Sequence, residues 1–182
     1  MSKVAVWAKL MLAKEDQLRI KHFFSDEFGI PARKVLKRMH ISVYHSRRPM
    51  KGLVPTQESI NLELSVAETR FMVMYPGGEN PRSDINPANH AIGIRLHKQS
   101  NSIESVREFR SRLLEYESNQ VLGKRNPSTH NRSAFGARNF QPHMSLLKPG
   151  SVLDDNIKEI AAEFRKEFET LKFDRFVTDI DR

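Results

Sequence analysis

The sequence predicts an α+β fold of two similar lobes, each a sheet covered by helices. Three observations lead there. The chain has 182 residues and is 38% hydrophobic, enough for a single bilobal domain spanning 1–182 with a shared core. Stretches of period two alternate with stretches of period 3.6. The order strand, helix, His-containing strand also occurs twice, near 3–12, 15–28, 39–45 and near 90–97, 102–119, 142–147. The first two elements are offset by about 87 residues and the motif histidines by 103, so the second copy carries roughly 16 extra residues. They fall in the polar, basic loop Gly123–Asn139, of a length expected for a functional lid or binding loop, or else for a disordered segment.

Each element has a local reason. In Lys3–Leu12, Val4, Val6, Ala8, Leu10 and Leu12 share one strand face, with Trp7 and Lys9 on the other. Glu15–Phe28 is a helix with Ile20, Phe24 and Phe28 four apart and Gly29 as its stop. Met39–His45 is a strand. Leu62–Val66 and Arg70–Tyr75 are two more, expected as a hairpin, followed by a turn-rich stretch from Pro76 to Pro87. His90–His97 is a strand. Ile103, Val106, Phe109, Leu113 and Tyr116 line one helix face. Pro142–Leu147 is a strand. Asp154 is placed to cap a helix carrying Ile157, Ile160, Phe164, Phe168 and Leu171, and Lys172–Ile180 is the last strand.

Composition narrows the function classes. There is no cysteine, which removes disulfides, thiolate nucleophiles, Cys-ligated zinc and iron–sulfur clusters, and fits a cytoplasmic location. The N-terminal residues lack the pattern of a secretory signal, and no stretch reaches the roughly 18 apolar residues of a membrane span. The net charge of +8 is localised. Phe28–Gln57 holds seven basic residues and no acid, and Ser118–Leu153 five and no acid, so the rest of the chain is net negative. Such windows attract polyanions, phosphate foremost.

Each window contains one His-x-Ser triplet. On a strand, residues two apart point the same way, so His40 and Ser42 share a face while Met39, Ile41 and Val43 point into the apolar layer. His143 and Ser145 repeat this with Met144 and Leu146 inward. With seven His in the chain, composition alone gives about one His-x-Ser/Thr triplet, so two carry little weight by number. Their strand setting, matched places in the repeat and acid-free surroundings are what single them out.

Two imidazoles and two hydroxyls suit phosphoryl transfer without a metal or other cofactor. A neutral His takes a proton from water or a ribose hydroxyl, and a protonated His gives one to the leaving oxygen. The hydroxyls donate to non-bridging phosphate oxygens. Other site types are not encoded: no His-Glu-x-x-His, P-loop, nucleophile elbow or dinucleotide fingerprint is present. His40 and His45, five apart on a strand, are expected on opposite faces and so do not ligate one metal. His22, His90 and His97 are expected to be structural or surface residues, and His130 lies in the basic loop.

With both motifs in hand, the chain resembles the two-histidine phosphoesterase superfamily, which includes 2′-5′ RNA ligase-like proteins and cyclic phosphodiesterases. The resemblance rests on His40-Ile41-Ser42-Val43, His143-Met144-Ser145-Leu146 and the flanking Pro142. The family often has Thr where this chain has Ser, which keeps the hydroxyl. The resemblance implies pseudo-symmetric lobes, each an antiparallel sheet covered by helices, around a central cleft. It implies a hydrolase acting on 2′,3′-cyclic phosphates or related ribonucleotide linkages. A nucleotide or RNA substrate is thus the expected partner, with no membrane, no DNA-specific recognition, and a monomer. The alternatives are a ligase running the same site in reverse and a non-catalytic nucleotide-binding protein. Tyr44, Trp7 and Phe135 are candidate stacking platforms for a base, Tyr44 because alternation places it with His40 and Ser42. Lys9, Arg95 and Arg138 are candidate phosphate contacts.

Overall fold

The computed structural model describes residues 4–75, 84–121, 140–152 and 154–181. The Gly123–Asn139 loop, with Phe135, Arg138 and His130, lies outside them, as does most of the stretch after Pro76.

The chain runs β1 (Val6–Leu12), α1 (Lys14–Phe28), β2 (His40–Ser46), β3 (Thr56–Ser65), β4 (Thr69–Val73), β5 (Ile92–Leu96), α2 (Asn101–Val121), β6 (His143–Leu147), α3 (Ile157–Glu167) and β7 (Thr170–Ile180). The fold is α+β, with two antiparallel sheets ordered β2-β1-β7-β3 and β4-β5-β6. Gly29 ends α1 with φ +60°, a left-handed conformation that glycine adopts without a Cβ penalty. Phenylalanines fill much of the core. Phe23 and Phe24 of α1 meet Phe164 of α3, and Phe24 and Phe164 meet Phe71 of β4.

The expected hairpin of β3 and β4 does not form. β3 pairs with β7 and β4 with β5, so the two lie in different sheets. A 3-10 turn at Val66–Glu68 separates them, with Val66 buried and Thr69 Oγ1 donating to the Val66 carbonyl at 2.8 Å. This turn redirects the chain from one sheet to the other.

The two motif strands share one construction. β2 pairs with β1 and β6 with β5, in each case the strand that precedes the intervening helix. His40 lies opposite Met11 and His143 opposite Arg95; Ser42 lies opposite Lys9 and Ser145 opposite Gly93. One residue past each serine the register slips. Val43 and Leu146 are the extra residues of two β-bulges, and each is buried together with the residue that follows it. The two motif strands thus match in hydrogen-bond register and in the place of the bulge.

The sheets meet at the motif strands. Before β2, the segment 34–36 runs along the free edge of β6. Leu36 N–H donates to the Leu146 carbonyl at 2.9 Å, Lys148 N–H donates to the Lys34 carbonyl at 2.8 Å, and Val35 bridges Leu147. Four residues later the same chain is hydrogen-bonded to β1. Buried Gln17 of α1 helps the crossing: its Nε2 donates to the Leu12 carbonyl at 2.7 Å and its Oε1 accepts from Met39 N–H at 3.3 Å.

Gly93 shows how tightly β5 and β6 approach. A Cβ there would overlap the Met144 carbonyl and stand 2.8 Å from Ser145 Cα, both backbone atoms that cannot rotate away. Gly93→Ala is therefore expected to cost about 2–4 kcal/mol, read as a lower midpoint in chemical denaturation. A midpoint equal to wild type would show that β6 shifts freely.

Candidate active site

His40 and Ser42 on β2, and His143 and Ser145 on β6, line a single cavity of about 290 Å³, completed by Trp7, Leu36 and Arg38. The sequence separation between the motifs closes because the edge of β6 holds the segment that leads into β2. Both histidines and both serines are partly exposed while Met39, Ile41, Val43, Met144 and Leu146 are buried, as the alternation predicts.

Each imidazole is oriented in the same way. His40 Nδ1 lies 3.3 Å from the Arg38 carbonyl and His143 Nδ1 lies 3.1 Å from the Gln141 carbonyl. Each carbonyl belongs to the residue two positions upstream. A carbonyl only accepts, so Nδ1 carries the hydrogen in both rings. Nε2 is then the nitrogen that bears the lone pair when the ring is neutral and a second hydrogen when it is charged.

Burial holds the pKa of both rings below the ordinary imidazole value of 6.5. For His40, desolvation acts first, the nearby Lys9 ammonium adds to it, and charge on His143 opposes protonation further. For His143, desolvation acts first and the Arg95 guanidinium adds to it. In each ring the hydrogen bond to the upstream carbonyl works the other way. The folded chain thus binds protons at these rings less readily than the unfolded chain. Their contribution erodes stability only as pH falls through 6.5 and below.

The surrounding residues divide into those that reach the cavity and those that do not. Trp7, 36% exposed, does: its Nε1–H donates to Ser42 Oγ at 2.9 Å, and its ring meets His40 edge-on at 5.2 Å between centroids. Lys9 and Arg95 do not line the cavity. Lys9 is bound to Asp179 on β7 and sits 4.4 Å over the Trp7 ring. Arg95 is buried and donates to Gln141 Oε1. Both act on the histidines through their charge.

Tyr44 is not a platform. The bulge at Val43 turns it inward, where it is fully buried and its hydroxyl donates to Glu117 at 3.1 Å. The same slip changes His45. Unbroken alternation turns it away from His40, but it pairs opposite Trp7, whose indole points toward Ser42. Arg110 of α2 holds the bulge, donating to the Val43 carbonyl at 2.8 Å and lying 4.5 Å over the Phe140 ring.

Sequence reasoning passes over Arg38. It is exposed and is the charged residue lining the cavity among the described residues. Its signal is present in the chain: a cation two residues before the motif histidine, in the acid-free window. Among the described residues, no group of three or more His, Cys, Asp or Glu side chains could hold a metal ion, and no helix is long and apolar enough to cross a membrane. No family model, curated protein or solved structure matches this chain.

Trp7 is the single tryptophan, so its emission reports on its neighbour. Protonated imidazole quenches indole fluorescence. Emission is expected to fall on acidification with a midpoint below 6.5, to lose this transition in His40→Gln, and to show a higher midpoint in His143→Ala. An unchanged transition in His40→Gln would assign it to another group.

Proposed function

We propose that the protein is a metal-independent phosphodiesterase of the two-histidine type, hydrolysing cyclic or linear ribonucleotide phosphodiesters. The observation that carries this reading is the pair of imidazoles from distant motifs on one cavity, each with Nδ1 hydrogen-bonded to the carbonyl two residues upstream. The occurrence of one strand–helix–His-strand unit in each sheet supports two related lobes with the cavity between them.

In the reaction, the neutral ring takes a proton from water through Nε2 as the water oxygen bonds to phosphorus. The charged ring gives its proton to the leaving oxygen as the phosphorus–oxygen bond to it breaks. One proton is gained and one lost, so the pair stays singly protonated with the charge moved to the other ring. Mutual repulsion favours that state over double protonation, and burial favours it over any further charge. The Ser42 and Ser145 hydroxyls donate to the non-bridging oxygens, where negative charge grows in the five-coordinate transition state. The Arg38 guanidinium offsets the charge of the bound phosphate.

The test is hydrolysis of a panel of 2′,3′-cyclic, linear 2′-5′ and 3′-5′, and cyclic oligonucleotide substrates in excess EDTA. His40→Ala and His143→Ala should each lower kcat by about 10²–10⁴-fold with the fold retained. Arg38→Ala should raise KM by about three- to tenfold, a modest effect because the side chain is exposed. The kcat/KM profile should be bell-shaped with its maximum below pH 6.5, since both rings titrate below the ordinary value. Activity that requires a divalent cation, or that survives both histidine substitutions, sinks the reading. Joining of a 2′,3′-cyclic end to a 5′-hydroxyl would make the protein a ligase instead.

A further inference from the structure

We infer that Trp7 is a positioning residue that fixes the direction of the Ser42 hydroxyl, making Ser42 a committed hydrogen-bond donor to one non-bridging phosphate oxygen. This rests on the phosphodiesterase reading for its substrate, though the geometry stands apart from it.

The argument is one of donor and acceptor counting. An indole N–H donates and never accepts. Trp7 Nε1 lies 2.9 Å from Ser42 Oγ, so the serine oxygen is the acceptor. A hydroxyl has one hydrogen and two lone pairs. With a lone pair directed at the indole, the hydrogen is turned away from Trp7. Ser42 lines the cavity with both imidazoles, so a phosphate oxygen seated there is the natural acceptor for that hydrogen. The indole itself is braced by Lys9 over its ring and by His40 against its edge. Lys9 is braced in turn by Asp179 on β7. The contacts thus run in series from Asp179 through Lys9 and Trp7 to the Ser42 hydroxyl.

The second motif has no equivalent. Gly93 occupies the place opposite Ser145 that Lys9 occupies opposite Ser42, and among the described residues nothing hydrogen-bonds Ser145 Oγ. Among the described residues the two serines are therefore unlike: Ser42 Oγ accepts from an indole N–H and Ser145 Oγ does not. A preorganised donor contributes most where charge develops, in the transition state, and little to ground-state binding.

Because Trp7 is the single tryptophan, incorporating 3-benzothienylalanine in place of tryptophan changes one side chain, replacing its N–H with a sulfur that cannot donate. With adenosine 2′,3′-cyclic phosphate as the probe, this change or Trp7→Phe should lower kcat by about tenfold with KM within about twofold. In a Ser42→Ala background the same changes should have no further effect. With the two phosphorothioate diastereomers of the probe, wild type should discriminate against sulfur at one position, and both Ser42→Ala and the tryptophan replacement should reduce that discrimination. Equal losses in the wild-type and Ser42→Ala backgrounds, or an unchanged diastereomer preference, overturn the inference.

A second arm needs no turnover. The indole N–H gives one cross-peak in a ¹⁵N spectrum. Ser42→Ala should move it upfield, and inorganic phosphate should shift it in wild type but not in Ser42→Ala. If wild type hydrolyses no phosphodiester, the functional reading fails, and this arm decides the inference alone. A cross-peak indifferent to Ser42→Ala overturns it.

Discussion

The site exists because a short segment changes partners. Residues 34–36 are hydrogen-bonded to β6, and residues from His40 onward are hydrogen-bonded to β1. Three residues make the crossing, and Met39 within it is fully buried. Backbone hydrogen bonds on both sides fix the two sheets to each other at the place where the histidines emerge. Leu36 and Arg38 line the cavity for the same reason: Leu36 is the last residue held on β6 and Arg38 lies within the crossing. Gln17 stitches the far end of the crossing to the end of β1, so the first helix also takes part in setting His40. The two motifs are more than a hundred residues apart, yet their relative position depends on contacts within a few ångströms.

Charge in the site is arranged in two ranks. Arg38 faces the cavity, whereas Lys9 and Arg95 stand behind the histidines with partners of their own, Asp179 and Gln141. A cation behind an imidazole does not bind substrate, but it raises the cost of protonating that imidazole. Desolvation does the same. Together they keep the pair from becoming doubly charged, at some expense of the positive potential that an anion would meet.

Much of this is legible in the sequence, and the failures have particular causes. The faces of His40, Ser42, His143 and Ser145 follow from alternation because each triplet lies ahead of its bulge. Tyr44 and His45 lie beyond one, and no residue type at Val43 announces that the register will slip there. The separation of β3 from β4 is hidden because both read as half-buried strands, and partner choice is decided by the turn at Val66–Glu68 and by β7, far along the chain. Arg38 escapes notice because a basic residue in a basic window looks like its neighbours until a cavity wall distinguishes it. Trp7 is legible as a site-facing residue, but its bond to Ser42 depends on cross-strand register.

The twin bulges give each motif strand two phases. Its first half points chemistry outward; after one extra residue its second half points anchors inward. In β2 the anchor is Tyr44, reaching Glu117 on α2, and the Val43 carbonyl at the slip is taken by Arg110 of the same helix. A strand with perfect alternation has to divide its faces between solvent and core along its whole length. The slip lets one short strand serve both, so the His/Ser pair and the tether that immobilises it occupy successive residues instead of competing for the same face. Ironing out the slip with Val43 kept in the strand would act as a frame error in space, turning the Tyr44 ring to the cavity side and leaving α2 without its hold.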